Sequence, residues 1–183
     1  MGDDATVKDY LELLDRQRRE ALDALTDLDE RRLWQRPAPG EWCIGEILDH
    51  TRKLNASGLP LLRMAWLLLR PWAMLRRRAP YPVEIADPYA RPSFPMGVGW
   101  IWTPRHRPEA PVPLAQLAAE LEAAHARIRA FYSDKDPALL GHCWLYDPLI
   151  GRLNLIQSLR VGIYRDALHY RDVRDLARSL GGD

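Results

Sequence analysis

The sequence predicts an all-α protein, a four-helix bundle, on three observations. Apolar residues recur every three to four positions over four long stretches, no stretch alternates usefully with the period of a strand, and the one long interruption is rich in proline. At 183 residues the chain has the size of one domain, so residues 1–183 are read as a single bundle.

The first helix is expected over residues 6–28, where Val7, Tyr10, Leu11, Leu14, Ala21, Leu22, Leu25 and Leu28 form one buried stripe between charged positions. Leu33 and Trp34 follow a charged turn, and Pro37, Pro39 and Gly40 then stop regular structure before a second helix starts near Cys43. Glu46, three residues after Cys43, stands where a capping box puts its acid. The second helix carries Ile44, Ile47, Leu48, Thr51 and Leu54, and Gly58 with Pro60 is expected to bend it into two pieces.

Residues 79–113 hold nine of the fifteen prolines and show no period, which reads as a long proline-rich connection between the second and third helices, packed by Phe94, Trp100 and Trp102. Its length is expected to let the third helix return along a nonadjacent edge. That helix begins near Leu114 with Leu117, Leu121, Ile128 and Tyr132 on its stripe, and His125 falls on the same stripe. Residues 133–137 end it. The fourth helix is expected over residues 154–180, with Leu155, Leu159, Ile163, Tyr170, Val173, Leu176 and Leu180 inward.

The 26 basic residues nearly cancel the 25 acidic ones, so no overall field points to nucleic acid. Cys43 and Cys143 are too few for a disulfide framework, and the acidic start lacks the pattern of a secretory signal, so the expected location is cytoplasmic. The Leu-rich stretch at 59–75 is interrupted by Arg63, Arg70 and Pro71 and falls short of a membrane span. Leu61, Leu62, Met64, Trp66, Leu67, Leu68 and Leu69 make it apolar on nearly every face, which reads as a homodimer face or a buried helix end ahead of a helix lying on a membrane surface.

A bundle builds its sites from side chains that point inward from facing helices. Arg165 and His169 are one turn apart and share a face, and His50 on the second helix supplies a third point. His125 reads as a hydrogen-bonded core residue, His106 as a solvated loop residue, and Cys43 as a helix cap rather than a nucleophile. The Trp residues read mostly as packing.

The run from Pro37 through Glu41, Trp42, Ile44, Gly45 and Glu46 to His50 resembles the start of the second helix in the DinB-like and YfiT-like superfamily, where it leads to a metal-binding histidine. The run from Asp147 through Gly151 to Leu155 resembles that family's approach to its last helix, with two further metal-binding histidines fourteen and eighteen residues after the glycine. Here those positions are Arg165 and His169. The resemblance implies a DinB-like bundle and, in members with a complete site, a divalent ion such as Ni, Zn, Fe or Mn on three histidines that serves thiol transfer, hydrolysis or isomerisation.

Arg165 departs from that pattern, because a guanidinium is a permanent cation with no lone pair to offer. His50 and His169 remain as the metal ligands the resemblance implies, with Asp172, His125 or His142 as a replacement third donor. Otherwise Arg165, paired to Asp172 or Asp49, stands where the ion would be and holds an anionic group. Snorkelling of Arg165 into solvent is the plain alternative.

Three functions stay open. The first is a small-molecule pocket formed by His50, Arg165, His169 and Asp172 at a remodelled site. The second is a metal-dependent thiol transferase of bacillithiol or mycothiol type, or a hydrolase. The third is a non-catalytic dimeric scaffold.

Overall fold

The computed structural model describes residues 6–90 and 102–181. Its helices are α1 (Val7–Asp23), α2 (Glu30–Leu33), α3 (Ile44–Leu75), α4 (Leu114–Tyr132), α5 (Pro137–His142) and α6 (Leu155–Gly181), with strands β1 (Trp144–Asp147) and β2 (Gly151–Asn154) ahead of the last helix. The four long helices α1, α3, α4 and α6 are those the periodicity predicts.

Thr6 caps α1 by accepting from the Asp9 amide at 3.3 Å while the Asp9 carboxylate accepts from the Thr6 amide at 2.7 Å, a reciprocal capping box. The helix stops at Asp23, short of Leu28, because the Thr26 hydroxyl donates to the Asp23 carbonyl and a turn carries Leu25 into the core. At the start of α3 the Glu46 carboxylate reaches back to the Cys43 amide at 3.1 Å and is held by Arg36, as the spacing predicts. Gly45 is required there, since a Cβ would stand 2.8 Å from ring carbons of the buried Trp34.

Contrary to expectation, α3 is not split at Gly58 and Pro60. It runs through Pro60 and Pro71, both exposed, for 32 residues. Each proline removes one backbone donor on the solvent side, while Leu54, Leu59, Ala65 and Ala73 hold the opposite side against the bundle.

The chain between Cys143 and Leu155 also corrects the reading without strands. β1 and β2 pair antiparallel from Trp144 opposite Asn154 to Asp147 opposite Gly151. The Asp147 carboxylate accepts from the Leu149 and Ile150 amides at 2.8 and 3.0 Å, and Gly151 takes a positive φ of 98° that favours glycine. Four-residue strands are too short to show a period.

α3 lies against α4 and α6, and α1 against α6 and α4, so α1 and α3 face each other across one diagonal and α4 and α6 across the other. The long connection therefore joins adjacent helices, not nonadjacent ones as expected. Its described residues carry a single 3-10 turn at Pro88–Ala90 and one isolated bridge between Arg107 and Ala110. The expected packing of Phe94 and Trp100 lies outside the described residues. No described helix is long and apolar enough to cross a membrane.

Buried apolar residues fall into two clusters. One gathers Tyr10, Leu14, Leu59, Ile128, Leu159 and Ile163, the other Ala21, Leu48, Leu117, Leu121, Tyr170 and Val173. Between them, at matching heights on the four helices, lies a polar layer: Asp15 and Arg18 on α1, His50 and Asn55 on α3, His125 on α4, and Arg165, Asp166 and His169 on α6.

Candidate functional site

Asp166 is fully buried at the centre of the polar layer. Its carboxylate accepts from Arg165 Nη2 and Nε at 3.1 and 3.2 Å and from Asn55 Nδ2 at 2.8 Å, and His125 Nε2 stands 3.3 Å away. Burial by itself would raise its pKa, but the Arg165 charge, His125 and Asn55 hold it below the usual carboxylate range. Asn55 Oδ1 in turn accepts from Arg165 Nη2 at 2.6 Å. The guanidinium is thus fixed from two sides.

Arg165 therefore points inward, with its side chain only 20% exposed, and does not snorkel out. Its partners are Asp166 and Asn55 rather than Asp172 or Asp49. Asp172 is half-buried and makes no hydrogen bond or ion pair among the described residues; burial and then the Asp175 charge push its carboxyl up, against the pull of Arg171. Asp49 is committed to Arg52 at 2.6 Å and to the backbone amides of Arg105 and His106.

His50 and His169 do meet. Their ring centroids are 5.0 Å apart, nearly perpendicular, and Trp42 lies 4.7 Å from His50 on another side. His50 Nδ1 is 2.7 Å from the Trp102 carbonyl oxygen. A carbonyl only accepts, so Nδ1 carries the proton and Nε2 keeps its lone pair.

Burial lowers the His50 pKa further than the Trp102 carbonyl raises it, and Arg165 adds to the drop. His169 is pushed down to about 4 by burial, His50 and Arg165, against the pull of Asp166. Both rings are neutral at pH 7. The sequence-predicted trio of His50, Arg165 and His169 is brought together, and Asp172 is left out.

The remaining histidines lie elsewhere or act differently. His125 is the buried core residue the sequence suggests, turned toward Asp166 and Asn55. His142 meets the Ala79 carbonyl at 3.1 Å and packs on Trp72 and Tyr81, so it supplies no third donor. Burial raises the Cys43 thiol to about 12, the opposite of an activated nucleophile.

His106 is not simply solvated. With Asp49 and Glu120 it offers three ligand atoms within 4.8 Å of one another, a spacing a divalent ion can bridge. Arg52 already forms ion pairs with both carboxylates of that group, at 2.6 Å to Asp49 and 3.1 Å to Glu120. No other described group of three His, Cys, Asp or Glu side chains has that spacing, so none completes a three-donor set with His50 and His169.

A cavity of about 270 Å³ opens beside the layer, lined by Leu14, Leu54, Leu59, Ile128, Leu145 and Leu159 among others, with Asn55, the Trp102 segment, Asp147 and Arg165 as its polar points. His50 and His169 are not part of its wall; Arg165 is. Sequence reasoning missed Asn55, Asp166 as the partner, the Trp102 carbonyl and Tyr89. The Tyr89 phenol is raised by burial and feels Arg165, Asp147 and Asp166, which places it beside the network. Asn55 and Tyr89 carried no spacing signal. Asp166 did, one position from Arg165.

Four helices around a polar layer, with two neutral histidines and an arginine at one level, define a helical bundle with a polar inner site. The family model of the DinB superfamily matches residues 13–173, and the chain belongs to that superfamily. Among solved structures it is similar to YfiT from Bacillus subtilis, described as a probable metal-dependent hydrolase with an unusual four-helix bundle topology. That match has 13% identity and a TM-score of 0.63 and covers 99% of this chain and 93% of the other. No curated protein sequence matches the chain.

Proposed function

We propose that this protein binds a small organic anion with an apolar body, its charged group on Arg165 and its body in the cavity between α1, α3, α4 and α6. The observation that carries the reading is Arg165 itself, held by Asn55 and Asp166 on the wall of a largely apolar cavity whose other charged lining residue is Asp147. At about 270 Å³ the cavity is just below the range of drug-sized ligand pockets, roughly 300–1,000 Å³, which suits a small ligand.

Thermal melting with benzoate and hexanoate, against benzyl alcohol and hexanol, tests the reading. The acids are expected to stabilise the protein, by about 2.7 kcal/mol at a hundredfold excess over Kd, and Arg165→Met is expected to abolish the difference between acid and alcohol. Equal shifts with both, or the same acid response in the variant, refute it.

The runner-up is a metal-dependent hydrolase or thiol transferase, favoured by the free Nε2 of His50 beside His169. The residues present do not fit the family's three-histidine centre, because the third position carries a fixed cation that disfavours a dication. Elemental analysis of untagged protein decides: one divalent ion per chain, lost in His50→Ala, would favour this runner-up over the first reading.

A further inference from the structure

The C-terminal half of α3 carries an apolar face turned away from the bundle. At about 100° per residue, Ala65 and Ala73 point to the core, while Leu61, Met64, Leu67, Leu68, Met74 and Leu75 share an arc of roughly 160° on the far side. These side chains are exposed, Leu67 to 74% and Leu75 to 86%. Exposed Pro71 and Trp72 fall on the same arc, and Arg63 and Arg70, also exposed, line one of its borders.

From residue 50 to residue 83 the chain has seven lysines and arginines and no acid, although the whole chain is balanced to +1. Arg76 lies over the Trp72 ring at 5.2 Å, and Lys135 on the neighbouring element lies over Trp66 at 5.5 Å, so the surround is basic too. Two acids meet this surround among the described residues, Asp136 paired to Arg77 at 2.6 Å and Asp134 to Lys135 at 2.7 Å, and neither pairs with Arg63, Arg70 or Arg76.

We propose that this face docks on an anionic lipid surface, with the leucines and methionines in the acyl boundary and the arginines against the headgroups. A long apolar strip bordered by arginine on a helix too polar to cross a bilayer is the chemistry of a helix that lies in the interface. The homodimer expected from the sequence fits less well. A two-fold interface with the helices antiparallel sets the same patch against itself and brings Arg63 and Arg70 of both copies to one seam, where residues 50–83 supply no carboxylate to meet them.

Flotation with vesicles of phosphatidylcholine mixed with phosphatidylglycerol, against phosphatidylcholine alone, tests the assignment. The protein is expected to float only with the anionic vesicles, and less as salt rises. Arg63→Gln/Arg70→Gln is expected to weaken partitioning roughly 30-fold, at about 1 kcal/mol per cation near the surface. Leu67→Ser/Leu68→Ser is expected to abolish it. All four side chains are exposed, so unchanged melting temperatures certify the variants. Failure to float with anionic vesicles, or equal flotation with neutral ones, overturns the proposal. So does a dimer in sedimentation velocity that Leu67→Ser/Leu68→Ser dissociates, which would assign the face to a second copy.

Discussion

Replacing Asp166 by alanine removes the centre of the polar layer. The carboxylate is the shared acceptor of Arg165 and Asn55 and the neighbour of His125, so its loss leaves Arg165 with Asn55 alone and leaves the buried Asn55 Nδ2 and His125 Nε2 with only each other, 3.2 Å apart. Breaking a buried ion pair by removing one partner costs about 3–5 kcal/mol. Arg165 keeps 20% of its side chain in solvent, which favours the low end, about 3 kcal/mol or a drop in Tm of roughly 6–12 °C for a domain this size.

Urea unfolding of the wild type, Asp166→Ala, Arg165→Met and the double variant at pH 7 measures the cost and the coupling; the double variant is expected to lose less than the sum. The folded pKa of Asp166 lies below its ordinary 3.8, so the contribution is present above that value and is lost as pH falls through the lower folded pKa. The gap between wild type and variant should therefore be the same at pH 7 and pH 5 and close only in stronger acid. A gap under about 1 kcal/mol, or additive single effects, would refute the pairing.

Arg165→His is expected to gain affinity for Ni or Zn, since the residue that lowers both neighbouring imidazoles becomes a third donor beside them; equal weak binding in calorimetry of both proteins would show that position 165 does not serve that site. Because His169 is depressed from 6.5 to about 4, the unfolded chain binds a proton that the folded one refuses in that range. Stability should be full above 6.5 and fall as pH drops toward 4, and identical urea midpoints at pH 7.5 and 5 would contradict this. Asp49→Ala deprives the Arg105 and His106 amides and Arg52 of an acceptor and is expected to cost about 2 kcal/mol, with faster amide exchange at 105 and 106; unchanged exchange would show that Asp49 does not hold that segment.

The four long helices were legible because each buries one stripe, and stripes are written in residue spacing. The hairpin was not, since the Asp147 turn and Gly151 mark a corner while the strands are too short for a period. Prolines misled at α3, where both rings face solvent and tertiary packing on the other side outweighs one lost donor apiece. At the site, spacing alone placed Arg165 and His169 on one face. What it could not give was the partner of Arg165: Asn55 and Asp166 are joined only by the meeting of α3 and α6, and Asp172, at suitable helical spacing, ends up half-buried without a hydrogen bond or ion pair among the described residues. The tautomer of His50 depends on a backbone carbonyl in a proline-rich segment, which no side-chain pattern encodes.

On the proposed reading, an arriving carboxylate meets a cation that is already balanced. Arg165 spends Nε and Nη2 on Asp166 and Asn55, and Nη1 makes no hydrogen bond among the described residues, so an anion can be received without breaking the existing bonds. The Arg165 and Asp166 pair has no net charge, however, and a partly buried anion needs a countercharge. His50 and His169 are next to Arg165 and are held neutral chiefly by burial, with Arg165 adding to the effect. A bound carboxylate would cancel the Arg165 contribution and raise both imidazoles toward 6.5, so anion binding should take up a proton and tighten as pH falls from 7.5 to 5.5. Calorimetry with benzoate in two buffers of different ionisation enthalpy reads the protons directly. Uptake that vanishes in His169→Gln assigns the countercharge to that ring, whereas binding with no proton uptake at pH 6 would mean that Arg165 alone supplies the charge and that the two histidines play no electrostatic part in holding the ligand.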